Sequence, residues 1–168
     1  VAAPAEVLSV VSGYDAAVIE RFPGIRAGVV RATGLANGPS VPALRAAYRA
    51  EQAVAVARLA GTALADLPSI AAWRRAFSGS GVTPTQYRNA AEALLRRLTR
   101  HGDIPSINTL VDVGNLVSIR YAFPVAVCDQ TMVVGGTTDR FATGEEWFTG
   151  IGTAAPVRPE PRGGDLRG

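Results

Sequence analysis

Residues 105–129, PSINTLVDVGNLVSIRYAFPVAVCD, place two asparagines and an aspartate inside one apolar stretch that ends in a proline and a second aspartate. Polar groups in such a run must find partners or leave the core. One reading has Asn108 and Asp112 tying a turn to neighbouring backbone amides. The other has Asn115, with backbone N–H groups around it, facing a pocket. From Asp112 to Tyr121 the spacing of Val113, Leu116, Val117 and Ile119 is helical, and residues 123–127 read as a short strand.

The remaining composition excludes several kinds of chemistry. All 17 basic residues are arginine, so there is no Schiff-base lysine and no phosphate-binding loop that depends on one. One cysteine and one histidine do not make a usual zinc site, and no cofactor motif is visible. Cys128 cannot form an internal disulfide, and with no basic neighbour it is expected to be a buried packing residue rather than a nucleophile. No apolar run reaches the roughly 20 residues that span a bilayer, and residues 1–10 lack the form of a signal peptide. The expectation is a cytoplasmic protein without membrane contact. At 168 residues the chain suits one globular domain, and it is too short for a synthetase body with accessory modules.

Along the chain, residues 4–21 carry an interrupted helical pattern stopped at Phe22-Pro23-Gly24, and residues 25–33 alternate as a half-buried strand would. Residues 41–67 predict the longest helix, with Leu44, Tyr48, Ala55, Leu59 and Leu64 on one face. After Pro68, Ser69 is a candidate cap for a short helix over 70–77. Thr85 is a candidate cap for a helix over 86–100, whose apolar face is Tyr87, Ala91, Leu94, Leu95 and Leu98. The opposite side of that helix carries Arg88, Arg96, Arg97 and Arg100. Between Trp73 and His101 six arginines stand against Glu92 alone. Arginine forks match phosphate oxygens, so this face could meet an RNA backbone, and it could equally be a solvated helix face. Further on, residues 132–134 and 138–142 read as strands, and residues 153–168 form a Pro/Gly/Arg-rich tail too poor in apolar residues to pack.

Two linked motifs carry a family resemblance. The first is Ile107, Asn108, Val111, Asp112, Val113, Asn115 and Val117, followed by Pro124 and Asp129. The second, upstream, is Gly81, Pro84, Tyr87 and Arg88, then Glu92, Ala93, Leu94, Leu95 and Arg97. Together they resemble the B3/B4 domain of the phenylalanyl-tRNA synthetase beta subunit, and Ser118 and Tyr121 resemble its freestanding members. Gly144, Glu145, Phe148 and Gly152 approximate a further loop of the family. The resemblance implies an α+β fold, a mixed β-sheet packed by several helices, over residues 1–152, with a flexible or shortened tail at 153–168.

In the synthetase this domain hydrolyses tyrosine wrongly esterified to the phenylalanine tRNA. Carried over, the resemblance puts Asn115 and the Gly114 backbone at the ester. It implies that Asn108, Pro124 and Ala126 belong to the pocket wall and that Glu145, or else Glu146, reads the amino-acid side chain; from the basic stretch, Arg88, Arg96 and Arg97 are expected to meet the RNA. The family commonly has a threonine and a histidine where this chain has Gly114 and Ala126, which removes two polar contacts. Two functions follow as expectations: hydrolysis of mischarged aminoacyl-tRNA in trans, or a non-catalytic module that binds RNA, an amino acid or a protein. Transfer RNA is the expected partner and DNA is not.

Overall fold

The computed structural model describes residues 12–133, 135–150 and 155–158. Among them are five α-helices and one two-stranded sheet, an α+β arrangement. They divide into two compact units, one of residues 32–127 and one of the described residues before 32 and after 127.

The unit of residues 32–127 is helical. Helix α2 (Pro42–Leu59) starts on a proline at its first turn, where the missing N–H costs no hydrogen bond. Its buried stripe is Tyr48, Glu51, Gln52, Ala55 and Leu59, the spacing of one helix face. The helix ends eight residues short of the expected Leu67, because Gly61 takes a positive φ of 75° and a 3₁₀ turn follows at Leu64–Asp66. Helix α3 (Pro68–Gly79) also begins on proline. Ser69 does not cap it; its hydroxyl donates instead to the Ala122 carbonyl.

Helix α4 (Ala90–His101) begins later than the expected residue 86. Residues 83–87 close a turn onto the Thr83 carbonyl, and Asn89 rather than Thr85 caps the helix by accepting the Glu92 N–H at 2.9 Å. Gly102, at φ 81°, ends it. Helix α5 (Thr109–Tyr121) is capped by Asn108, which accepts the Val111 N–H at 2.9 Å.

Helices α2 and α4 pack on α5. Their shared core is Tyr48, Ala55, Leu59, Leu95, Leu98, Ile104 and Ile119, with Leu64, Leu67, Leu94 and Leu116 at its margin. Gln52 stitches the α4–α5 connection to α2 in both directions: its Nε2 donates to the Ile104 carbonyl at 3.0 Å, and its Oε1 accepts the Ile104 N–H at 2.8 Å. Arg58 donates to the Ile119 carbonyl at 2.7 Å, and Glu51 accepts from Arg120 Nε at 2.7 Å. These polar ties fix the rotation of α5 about its own axis, and so decide which of its side chains turn inward.

In the other unit, strand β1 (Ser12–Tyr14) pairs in parallel with β2 (Thr137–Asp139), Ser12 opposite Thr137 and Tyr14 opposite Asp139. Asp15 caps the short α1 (Ala16–Arg21) by accepting the Ala17 N–H at 2.9 Å. Residues 25–33 are irregular rather than a strand, and Val29 and Val30 are exposed. Alternation alone gave that segment no pairing partner among the described residues. The first part of the 4–21 pattern and Val134 lie outside the described residues. Phe148 and Val157 exchange N–H···O bonds of 2.8 Å in an antiparallel bridge, and the Arg158 guanidinium lies 4.5 Å from the Trp147 ring centre.

Candidate functional site

The first turn of α5 gathers its polar groups around a buried carboxylate. Asp112 has no exposed surface. Its Oδ2 accepts the Ser40 hydroxyl at 2.6 Å and the Ser106 hydroxyl, and its Oδ1 accepts the Ile107 N–H at 2.9 Å. Burial pushes its pKa up, but the Ser106 and Ser40 hydroxyls and the Ile107 N–H outweigh that, with Arg45 helping, and the net shift is downward. Nearby, the Thr109 N–H donates to the Gly38 carbonyl at 2.8 Å. Asn108 and Asp112 are therefore used in tying loops to the start of α5. The Asn108 side chain caps α5 through its Oδ1.

Asn115, one turn on, is half-buried and makes no such tie. Beside it stands the Tyr48 hydroxyl of α2, buried and without a hydrogen bond of ordinary geometry. Burial raises the Tyr48 pKa to about 12; the Asn115 amide opposes that rise, Asp112 adds to it and Arg97 opposes it. Asn115 and Tyr48 thus form a polar pair at the α2–α5 contact whose hydrogen-bonding capacity is not used up.

Gly114 makes room for the chain that follows α5. It sits in the middle of α5, where helix geometry commits its N–H to the carbonyl of Leu110, so that N–H is not a free donor for an ester oxygen. A Cβ at this position would lie 3.3 Å from Val127 Cγ2 and 3.5 Å from Val125 Cγ1. The missing side chain lets the returning segment settle on the helix. That return is set by Ala122, which takes a left-handed conformation at φ 55°, and by Ser118, whose hydroxyl donates to the Phe123 carbonyl at 2.8 Å.

Residues 123–127 join no sheet among the described residues, so the expected strand is absent. Its alternation survives in Val125 and Val127, both of which lie over Gly114. Pro124 is half-buried and Ala126 exposed. The Tyr121 and Phe123 rings stack with centres 5.8 Å apart, and both are substantially exposed. Cys128 is also exposed, contrary to expectation: it follows the last residue held against α5.

The arginines separate into two sets. Arg74 of α3 forks onto buried Glu92, its Nη2 at 2.7 Å and its Nε at 3.2 Å, and Arg88 Nε lies 3.7 Å from the same carboxylate. Arg96 shares that environment. Its pKa is lowered first by Arg100, then by burial, Arg88 and Arg74, with Glu92 opposing. Arg97 stands apart: its Nη2 is 4.0 Å from Asp103, and it acts on Tyr48.

Glu145 lies in the other unit, exposed, with a side chain that forms no hydrogen bond or ion pair among the described residues. Its neighbour Glu146 is the ordered one. It accepts the Thr143 N–H at 3.0 Å, the Thr143 hydroxyl at 3.1 Å and the Gly144 N–H at 2.9 Å, and it pairs with Arg140. The structure thus brings Asn115 and Gly114 together on α5, with Val125 and Val127 over the glycine and Tyr48 beside the asparagine. Tyr48 was legible only as a member of the α2 apolar stripe. Asn89 carried a capping signal, Asn-x-x-Glu, that points to the true start of α4.

Among the described residues no group of three or more His, Cys, Asp or Glu gathers as a metal site, and no helix is long and apolar enough to cross a membrane. No curated protein and no solved structure matches the chain. The family model of the B3/4 domain matches residues 72–161, more than half of the chain, and spans α4, α5, the returning segment and the Glu146 loop. With the linked motifs of α4 and α5 inside that match, the chain belongs to the B3/4 domain family.

Proposed function

We propose that the protein hydrolyses the ester of a mischarged aminoacyl-tRNA in trans, tyrosine on phenylalanine tRNA or a similar pair. The observation that carries this reading is Asn115. It lies within the matched family segment and is half-buried beside the buried Tyr48 hydroxyl, whereas Asn108 and Asp112 of the same motif are engaged in structural bonds.

An aminoacyl ester is already activated, so positioning and electrostatic help suffice. The Asn115 amide donates to the ester carbonyl, whose carbon takes the oxygen of a water molecule. The bond to the ribose oxygen breaks, the water's proton passes to that oxygen, and the products are the free amino acid and the uncharged tRNA. Discrimination against the correct product follows if the site hydrogen-bonds the additional phenolic hydroxyl. Tyr121 and Phe123 offer exposed aromatic surface near the end of α5.

A second reading has its own support. Because the Gly114 N–H is tied into the helix, Asn115 is the one donor that α5 retains at this place, which favours a module that binds the aminoacyl end without cleaving it.

The experiment is deacylation of phenylalanine tRNA charged with tyrosine, run beside the correctly charged tRNA. Selective hydrolysis that falls by about 10²-fold or more in Asn115→Ala is the expected result. No turnover by folded protein on several mischarged tRNAs rejects hydrolysis and leaves the binding module.

A further inference from the structure

The geometry points to a defined RNA-backbone surface: Arg96 and Arg100 along one stripe of α4, joined by Arg88 from the segment before it and Arg74 from α3, with Arg97 outside it. The partner named here rests on the RNA-facing part of the function proposed above; the surface itself does not depend on catalysis.

Residues 92, 96 and 100 recur at four-residue intervals along one side of α4, about 6 Å apart per step, and Arg88, just before the helix, joins them by its approach to Glu92. That spacing is of the order of the distance between neighbouring phosphates on a nucleic-acid strand. The single acid in the stripe, Glu92, is buried and already satisfied by the two-pronged contact from Arg74. Arg88 Nε is buried, stands 3.7 Å from Glu92 and has no hydrogen-bond acceptor. Arg96 and Arg100 pair with no carboxylate among the described residues, and the like charges around Arg96 lower its pKa, led by Arg100.

Four guanidiniums and one carboxylate leave an excess of three positive charges on one side of the α3–α4 pair. Glu92 does not cancel the patch. It holds Arg74 in place beside the other three, which is a use of a buried acid that concentrates positive charge. Such an array is complementary to a run of phosphates, each of which accepts from a guanidinium fork. Arg97, one residue from Arg96 in sequence, is turned about 100° away around the helix, toward Asp103.

The test is binding of deacylated tRNA to the intact protein, read by fluorescence anisotropy at several salt concentrations, for wild type, Arg96→Glu/Arg100→Glu, Arg97→Glu and Asn115→Ala. The milder Arg96→Gln/Arg100→Gln covers the case in which charge reversal disturbs the fold, with circular dichroism and melting checked for each variant. The expected result is a loss of about tenfold or more in affinity for the Arg96/Arg100 variants, and a salt slope smaller by about one to two, with Arg97→Glu close to wild type. An unchanged slope in the Arg96/Arg100 variants overturns the surface, as does an equal loss in Arg97→Glu. Binding of polyglutamate in preference to tRNA overturns the choice of partner. The wild type separates the two proposals: tRNA binding by folded protein that hydrolyses no mischarged tRNA sinks the hydrolase and leaves the surface standing, and Asn115→Ala should keep tRNA binding in either case.

Discussion

The Tyr48 hydroxyl of α2 is buried beside the Asn115 amide of α5, within its influence but without a hydrogen bond of ordinary geometry. A buried hydroxyl in this state costs about 1–3 kcal/mol relative to a satisfied one. Tyr48→Phe should therefore leave urea stability unchanged or raise it by up to about 1 kcal/mol, whereas Tyr48→Ala, which empties a core position, should cost about 3–5 kcal/mol. The same pair predicts an alkaline effect. With the folded pKa raised to about 12, chiefly by burial, the neutral phenol is favoured in the folded state. Its contribution is complete below the ordinary tyrosine value of about 10 and is lost as pH rises toward 12. A clear loss of stability in Tyr48→Phe at neutral pH would mean that the hydroxyl has a partner after all.

Asp112 joins three pieces of chain through Ser40, Ser106 and the Ile107 N–H. Asp112→Ala leaves the buried Ser40 hydroxyl without its acceptor and should destabilise by about 1–3 kcal/mol. The folded pKa of Asp112 lies below the ordinary value, so its contribution is present above the usual aspartate range, near about 4, and fades as pH falls through the lower folded value. Acid denaturation of wild type and Asp112→Asn, compared by circular dichroism, should show that part of the acid dependence only in wild type.

Gly114 and the two valines above it make a steric prediction. In Gly114→Ala the gain in helix propensity, about 1 kcal/mol, is set against a 3.3 Å contact with Val127, and the two should nearly cancel. Gly114→Thr, the residue common elsewhere in the family by resemblance, adds bulk that the returning segment must give way to, at about 1–3 kcal/mol. Adding Val127→Ala should recover part of that loss. A double-mutant cycle on melting temperature measures it, and zero coupling would remove the contact from consideration.

The acidic pair Glu145 and Glu146 should behave unequally. Backbone N–H donation from Thr143 leads the causes that hold the Glu146 pKa at about 2, and Arg140 contributes. The loop should keep its hydrogen bonds until pH approaches that value, so the Thr143 and Gly144 amide resonances should titrate near pH 2. Glu146→Gln should speed exchange of those amides while Glu145→Gln leaves them slow. Equal acceleration by both substitutions would contradict the assigned bonds.

How far these relationships could be read from the sequence varied with how local their causes are. The Ala91, Leu95 and Leu98 face of α4 and the helical run through Val113, Leu116 and Ile119 depend on periodicity and were legible, whereas Tyr87 lies ahead of the helix and is exposed. The partners of Asp112 were legible only in part: the tie to the Ile107 amide is local, whereas Ser40 is remote in sequence and only the fold brings it near. Thr85 and Asn89 compete as caps within four residues, and the turn onto the Thr83 carbonyl decides for the second. Residues 25–33 and 123–127 share the same alternation. It finds a surface only in the second, where Gly114 makes room. The arginine stripe needed the phase of α4 and the reach of Arg74 from another helix, neither of which follows from counting charges.

Gln52 reads the backbone of Ile104 in both directions, and it does so from outside the stretch over which family membership is recognised. Recurrence of sequence and closure of apolar surface need not end at the same residue. A polypeptide trimmed to 72–161 would keep every motif by which the family is known and would lose Tyr48, Ala55 and Leu59, the wall against which Leu95, Leu98 and Ile119 are sealed. The hallmark of the family is thus held in shape by a helix that carries none of its signature.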